Sequence, residues 1–400
     1  MPKRVRTVTA VLAALTLAAT GCSSTRPTGG TGASGAPGSA AANSNSTFKF
    51  FSQADFDKQM AQRTMSAQGD PSTPWVQMIQ PSMVDTAKYA KPGRKWHLCF
   101  SNAALDNPWR VTGMTTMKAE VKLHPEIGDF TVVDAGGKDD KQIADLADLA
   151  AKGCDAIIVS PNTTSALTPA VERACRTGVP VVVFDRGVTT DCPVSYVHPI
   201  GGYAFGAAAA EFIAQRVGKG GKVLALRILP GVDVLENRWA GAKITFDKAG
   251  VNVVGVEFNN ADPAKAKGIV SDYIQRFPDL AGVWLDAGFA SVATVEAFQD
   301  AGRKVPPLTG EDQQDFLNLW KKQNLTAFGS VYPVYQWRTG VIAATWILSG
   351  RQVPKEWVLP QPTITADNLD RWIDPGMPPL FFSSCGCQQM PGFPQAWGGR

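Results

Sequence analysis

Between residues 130 and 186, short β-branched or apolar runs alternate with helix-period segments, and almost nothing separates them. FTVVD (130–134) is broken by Ala135, Gly136 and Gly137. From Asp139 a helical pattern sets Ile143, Leu146, Leu149 and Ala150 at helical spacing, until Gly153 stops it. AIIVS (156–160) is too short for a helix, and Pro161 and Asn162 punctuate it. A second helical stretch, 165–176, ends at Gly178, and VPVVVFD (179–185) forms a third strand that finishes on Asp185 and Arg186. Strands without polar alternation, joined by helices, imply a parallel sheet covered on both faces. Ligands of such sheets bind beyond the carboxyl ends of the strands, where Asp134, Ser160, Asp185 and Arg186 all fall.

The same grammar extends in both directions. WHLCFS (96–101) is the first strand, and it leads through NAALDNPWR (102–110) into a helix reaching about residue 123. Asn107, Trp109 and Arg110 therefore stand at a strand-to-helix turn, with Pro108 suited to the first helical turn. After Arg186 come a short strand (195–198), Gly201-Gly202 and a small-residue helix (203–217). The pattern then restarts: strands at 222–226, 251–258, 282–285, 307–311 and 327–331, with helices at 236–249, 262–277 and 289–301, and a last helix to about 348. Two successive sets predict an α/β protein of two Rossmann-like lobes with parallel sheets. Crossings near Gly201, Pro333 and Gly350 make the lobes discontinuous and joined by hinge strands. Residues 95–200 with 332–350 form the N-terminal lobe on this reading, and 201–331 the C-terminal lobe.

The two ends differ in kind. Lys3, Arg4 and Arg6 precede an apolar stretch (8–20) too short to span a bilayer, and Gly21-Cys22 follows. Residues 1–22 read as a lipoprotein signal with Cys22 as the lipidated residue, although Ala19 stands where leucine is usual; this places the protein on the extracytoplasmic face of a bacterial cell membrane. Residues 23–47 are nearly all Gly, Ser, Thr, Ala, Pro and Asn, the composition of a disordered tether. Residues 48–94 are an irregular lead-in with one short amphipathic helix around Phe51, Phe56 and Met60. Residues 351–400, rich in Pro, Trp and Cys, are an extension with an edge strand at 363–365 and a surface tail pinned by disulfides.

Composition excludes several functions. The formal charge of +4 falls to +1 without Lys3, Arg4 and Arg6, so there is no basic excess for a nucleic-acid partner. Six cysteines follow Cys22, namely Cys99, Cys154, Cys175, Cys192, Cys385 and Cys387; in an exported protein they read as disulfides, and fifteen connectivities are open. Cys385 and Cys387 are close enough in sequence that each is expected to bond elsewhere. Three scattered histidines (His97, His124, His198) and no C-x-x-C argue against a metal. G-x-S-x-G, H-E-x-x-H and G-x-x-x-x-G-K are absent, and Gly201, Gly202 and Gly206 lack the dinucleotide fingerprint. The chain is read as non-enzymatic and without a cofactor.

The run DAGGKDDKQIADLADLAAKGCDAIIVSPNTTSALTPAVERACRTGVPVVVFDRGV (134–188) resembles the periplasmic sugar-binding proteins of the ribose-binding type, with the type I periplasmic binding protein fold. The resemblance spans about residues 95–348. Regulators of the lactose-repressor type share these lobes but carry a helix-turn-helix where this chain has an export signal. The resemblance implies an extracytoplasmic receptor of an ABC importer, a monomer whose lobes close on a monosaccharide or related polyol and whose closed form an ABC permease recognises. It assigns ligand contacts to Asn107, Trp109, Arg110, Asp185 and Arg186 on one lobe, and to Arg238 (in ENRWAGA) and Asp312 (in GEDQQ) on the other. Asp286-Ala287-Gly288 replaces the family's Asn-Asp, and its hinge glutamine falls near Val331-Tyr332, so the identity of the sugar does not transfer. Residue chemistry agrees independently: aspartates accept from hydroxyls, arginines donate in a planar fork, and an aromatic ring such as Trp109 packs on a sugar's C–H face. Trp239 and Trp284 read as core, and Tyr332 is open. The alternative to an importer component is a tethered sensor that delivers its bound ligand to a signalling partner.

Overall fold

The structure, a computed structural model, describes residues 50–400. The expected signal segment, its Cys22 and the tether to residue 47 lie outside the described residues.

The chain enters through helix α1 (Gln53–Gln62), capped by Ser52, whose hydroxyl accepts from Asp55 N. A two-residue strand, β1 (Met83–Val84), follows. The first lobe then builds from β2 (Trp96–Asn102), α2 (Pro108–Lys122), β3 (Ile127–Asp134), α3 (Asp139–Ala151), β4 (Ala156–Ser160), α4 (Thr164–Arg176), β5 (Val181–Phe184) and β6 (Ser195–Pro199). The second takes α5 (Gly202–Val217), β7 (Lys222–Arg227), α6 (Asp233–Ala249), β8 (Asn252–Phe258), α7 (Pro263–Arg276), β9 (Leu280–Leu285), α8 (Ser291–Asp300), β10 (Leu308–Gly310), α9 (Gln314–Gln323) and β11 (Ala327–Ser330). Helix α10 (Gln336–Leu348) returns to the first lobe, followed by β12 (Val353–Pro354), β13 (Glu356–Leu359) and β14 (Thr363–Ile364).

The first sheet has the order β13-β6-β5-β4-β2-β3 and is parallel throughout; the second has the order β14-β11-β10-β9-β7-β8 and is parallel except for the edge strand β14. The missing polar alternation has the predicted cause. In β4 and β5, Ile158, Val182 and Phe184 face a core shared with Trp337 and Val341 of α10, while Ile157, Val159, Val181 and Val183 face a second core with Leu146 and Leu149 of α3 and Val171 of α4. Leu224 and Leu226 of β7 are likewise separated from Val223 and Ala225. Trp239 and Trp284 are buried in the second lobe, their ring centroids 5.7 Å apart.

Three expectations change. Residues 356–359 belong to the first lobe's sheet, paired in parallel with β6, so that lobe does not end at 350 and the third crossing runs through Pro360, Gln361 and Pro362 rather than near Gly350. Helix α9, which the sequence reading passed over, buries Phe316, Leu317 and Trp320 and ends on Asn324 in the left-handed conformation. Cys385 is bonded to Cys387, against the expectation that each reaches elsewhere; the remaining pairs are Cys99 with Cys154 and Cys175 with Cys192. A turn at Gly386 (φ +60°) brings the two sulfurs together across a single residue. Among the described residues no helix is long and apolar enough to cross a membrane.

Candidate functional site

The loops at the carboxyl ends of β2, β4 and β5 converge on one guanidinium. Asn107 caps α2 by accepting from Arg110 N at 3.1 Å, and Pro108 occupies the first helical turn, so Arg110 leaves the helix start pointing back over the strand ends. Its Nη2 donates to Asp185 Oδ2 at 2.8 Å, and its Nη1 lies 3.3 Å from both Asn102 Oδ1 at the end of β2 and Ser160 Oγ at the end of β4. Ser160 Oγ also donates to Asp185 Oδ2 at 3.2 Å. Both charged side chains are buried, and burial, with Arg186 nearby, lowers the Arg110 pKa.

Asp185 adopts φ +70°, in the left-handed region that a side chain enters at a cost of about 1–2 kcal/mol. Two phenols stabilise that turn. The hydroxyls of Tyr196 and Tyr332 each donate to the Asp185 carbonyl at 3.2 Å. The neighbouring Arg186 turns elsewhere, donating from Nη1 to Asn162 O at 2.5 Å, and it acts electrostatically on Asp233 of the second lobe. Asp233 Oδ2 accepts from Thr164 Oγ1 at 2.7 Å, which joins the first turn of α4 to the first turn of α6 and brings the lobes into contact.

The second lobe contributes Arg238. Helices α5 and α6 cross closely because Gly206 lies against the Arg238 carbonyl, where a Cβ would stand 1.7 Å from the oxygen. The guanidinium then rests 3.9 Å above the Phe205 ring and 4.7 Å from the Tyr332 ring, donates to the Asp286 carbonyl, and lies 3.6 Å from Glu311 Oε1. Asp286 Oδ2 accepts from Ile228 N and Glu311 Oε2 from Gly288 N. Burial pushes Glu311 up to about 7 and Asp286 up to about 6, with Arg238 opposing both shifts. Asp312 Oδ2 accepts from Ser384 N at 2.6 Å, and burial raises its carboxyl to about 6. Among the described residues of this lobe, seven buried side-chain polar atoms have no hydrogen-bond partner: Arg238 Nε, Asp286 Oδ1 and Asp312 Oδ1 belong to the residues just described, and Arg227 Nε, Asn237 Oδ1, Trp284 Nε1 and Gln313 Oε1 are the others. Buried polar groups are nearly always paired, because an unpaired one costs about 1–3 kcal/mol.

Tyr332, which the sequence left open, is the centre of the arrangement. It leads from β11 to α10, and its ring centroid lies 5.7 Å from that of Trp109, whose indole N–H donates to the Tyr332 carbonyl at 2.9 Å. Arg110, Asp185, Trp109 and Arg238 are thus linked through one hinge residue. Arg186 stands toward Asp233. Asn107 serves as a helix cap, and Asp312 is engaged by the C-terminal segment. The neighbours of these residues that position does not point out are Glu311, Tyr196, Phe205 and Asp233. Glu311, directly before Asp312, and the Gly201-Gly202-x-x-x-Gly206 spacing are the only sequence signals that point toward them.

Against known proteins, a model of the periplasmic binding protein domain matches residues 98–352. The ribose import binding protein RbsB of Bacillus subtilis (strain 168) is 28% identical over 277 residues, covering 68% of this chain and 90% of that protein. A xylitol-binding protein of Mycolicibacterium smegmatis is 26% identical over 232 residues, covering 57% of this chain and 66% of its own length. Among solved structures, an ABC transporter solute binding protein from Bacillus halodurans with bound myo-inositol superposes with a TM-score of 0.65 at 18% identity, covering 70% of this chain and 99% of that one. Likeness at that identity speaks for the two-lobed fold.

Proposed function

Because the chain belongs to the periplasmic binding protein domain family, whose members are non-enzymatic solute-binding components of transport, we propose that it is the substrate-binding protein of an ABC importer and takes a monosaccharide or related polyol between its lobes. The observation that carries the reading is that Arg238 Nε and Asp286 Oδ1 are buried without partners where the Arg238 guanidinium meets the Asp286 carbonyl and the Tyr332 ring, whose hydroxyl in turn donates to the Asp185 carbonyl; Asp312 Oδ1 is unpartnered in the same lobe. A polyhydroxylated ligand supplies donors and acceptors together, which suits one cationic donor and two carboxyl acceptors. The Trp109, Tyr332 and Phe205 rings supply the apolar contact that a sugar's C–H face takes.

In this reading Arg238, Asp286 and Asp312 bind from the second lobe, and Asp185, Arg186 and Trp109 from the first. Arg110 orients the Asp185 carboxylate, and Asn107 orients Arg110. Closure is favoured because only the closed arrangement makes both sets of contacts at once, and the Thr164–Asp233 bond belongs to that state. Cys22, lipidated, would hold the protein at the extracytoplasmic membrane face beside its permease. Titration calorimetry against pentoses, hexoses and polyols tests the binding reading, and metabolic labelling with a fatty acid, lost in Cys22→Ala, tests the anchor.

A further inference from the structure

The matched family domain ends at residue 352, yet a segment 30 or so residues later reaches into the site just described. Residues 381–387 lie between the lobes and bond to both. On the second-lobe side, Ser384 N donates to Asp312 Oδ2 at 2.6 Å and Ser383 N to the Asp312 carbonyl at 3.2 Å. Gln314 N donates to the Phe381 carbonyl at 2.9 Å and Asp315 N to the Pro379 carbonyl at 2.8 Å, so the start of α9 is hydrogen-bonded along the segment. On the first-lobe side, Tyr335 N donates to the Ser384 carbonyl at 2.8 Å, Val334 N to Ser384 Oγ at 3.0 Å, and Arg338 to the Gly386 carbonyl. Phe381, Phe382, Cys385, Cys387, Met390 and Trp397 are buried in the same core as Trp337 and Met114, and the Trp397 indole donates to Thr116 Oγ1 at 3.0 Å.

Ser384 is therefore bonded through its N–H to the second lobe and through its carbonyl and hydroxyl to the first. We propose that Ser384 is a positioning residue for the ligand site: it fixes the Asp312 carboxylate through one oxygen, leaves the other for ligand, and makes the C-terminal segment a fourth connection between the lobes beside the three crossings. The apolar anchorage of residues 381–397 lies in the first lobe, whereas Leu369, Trp372 and Ile373 pack on the second-lobe core and residues 381–384 meet Asp312 and the start of α9 through hydrogen bonds. Opening the cleft with residues 381–397 kept in the first-lobe core must therefore break the Asp312 and Gln314 bonds. Loss of those bonds would release Asp312 and the lobe together, which couples the orientation of a ligand group to closure.

The proposal rests on the reading of Asp312 as a ligand contact, and its test separates the two. Ser384 has φ −77°, which proline accepts, although a proline there strains the helical Ser383 before it; Ser384→Pro thus removes the N–H at a backbone cost that the urea midpoint reads, while Ser384→Ala keeps the N–H. With whichever sugar binds the wild-type full chain, calorimetry should show Ser384→Pro weakened about 30-fold, the loss of one hydrogen bond to a charged group, and Ser384→Ala weakened less, since it keeps the N–H and loses only the hydroxyl beside Asp312. A merely structural role would lower the urea midpoint of both variants and leave affinity alone; equal affinity in Ser384→Pro and wild type would overturn the proposal. Amide exchange on the ligand-free wild-type chain gives an independent arm that needs neither sugar nor variant. The Ser384, Gln314 and Tyr335 amides should be slowed at least about 100-fold relative to an unstructured chain, and exchange at the rate of an exposed loop would overturn the connection even if sugar binds. If no sugar binds but these amides are protected, the functional reading fails and the connection stands.

Discussion

Arg110 donates to Asp185 Oδ2 at 2.8 Å with both side chains buried, so the aspartate that follows β5 is paired with a residue 75 positions earlier and not with its neighbour Arg186. Removing one member of a buried pair strands the other. Arg110→Met should destabilise the fold by about 3–5 kcal/mol in urea unfolding, since Asp185 would keep only the Ser160 hydroxyl on that oxygen. A loss below about 1 kcal/mol would mean the carboxylate is solvated after all.

The close crossing of α5 and α6 sets where Arg238 stands. Gly206→Ala would push a Cβ into the Arg238 carbonyl, and backbone cannot yield as a side chain does. The expected outcome is a stability loss of about 1–3 kcal/mol together with weakened ligand binding, because the guanidinium shifts off Phe205 and Tyr332. Calorimetry and urea unfolding on the same preparation check it; destabilisation with unchanged affinity would show that the crossing does not position Arg238.

How much of this was legible beforehand depends on the reach of the interaction involved. Strands β4 and β5 announced themselves because apolar runs of four or five residues bounded by Pro161 and Gly178 have one reading in a chain of alternating helices. Strand β13 did not, because Glu356–Leu359 is short, lies in a Pro- and Trp-rich segment, and becomes a strand only by pairing with β6. Asp185 and Arg186 were found by position, yet their partners were not, since the Arg110 contact joins ends of different strands. Tyr332 gains its role from contacts with Asp185, Trp109 and Arg238, residues distant in sequence, and Glu311 from burial beside Arg238, with only its place before Asp312 as a local hint. Cys385 and Cys387 were judged by spacing, and the turn at Gly386 decided otherwise.

Stability should fall as pH rises through the acidic range. Burial raises Glu311 from 4.5 to about 7, and Asp286 and Asp312 from 3.8 to about 6, so between these limits the native state holds protons that the unfolded chain releases. Unfolding then becomes easier with rising pH up to about 7, and His124, which burial opposes but the Glu120 and Glu126 carboxylates hold above its ordinary value, continues the fall above pH 6.5. Urea midpoints for the ligand-free protein should be higher at pH 5 than at pH 7.5, and Glu311→Gln should reduce the slope between pH 6 and 7, leaving the part that His124 contributes. An unchanged slope in that variant would place the titration elsewhere.

Non-reducing peptide mapping should recover Cys99–Cys154, Cys175–Cys192 and Cys385–Cys387, and any other connectivity would contradict the arrangement. The first pair closes a loop of 55 residues, for which chain entropy gives about 4 kcal/mol, so Cys99→Ala with Cys154→Ala should lower unfolding stability by roughly that amount.

The central claim is that a polyhydroxylated ligand completes the buried donors and acceptors around Arg238 and Asp185. Titration calorimetry of the wild-type chain and Arg238→Ala against a panel of pentoses, hexoses and polyols tests it most directly. At least one sugar or polyol should bind the wild type, and Arg238→Ala should bind it at least about 100-fold more weakly, the cost of a buried charge-assisted contact. Equal affinity in the variant, or no binding of any member by a folded wild-type chain, would contradict the account.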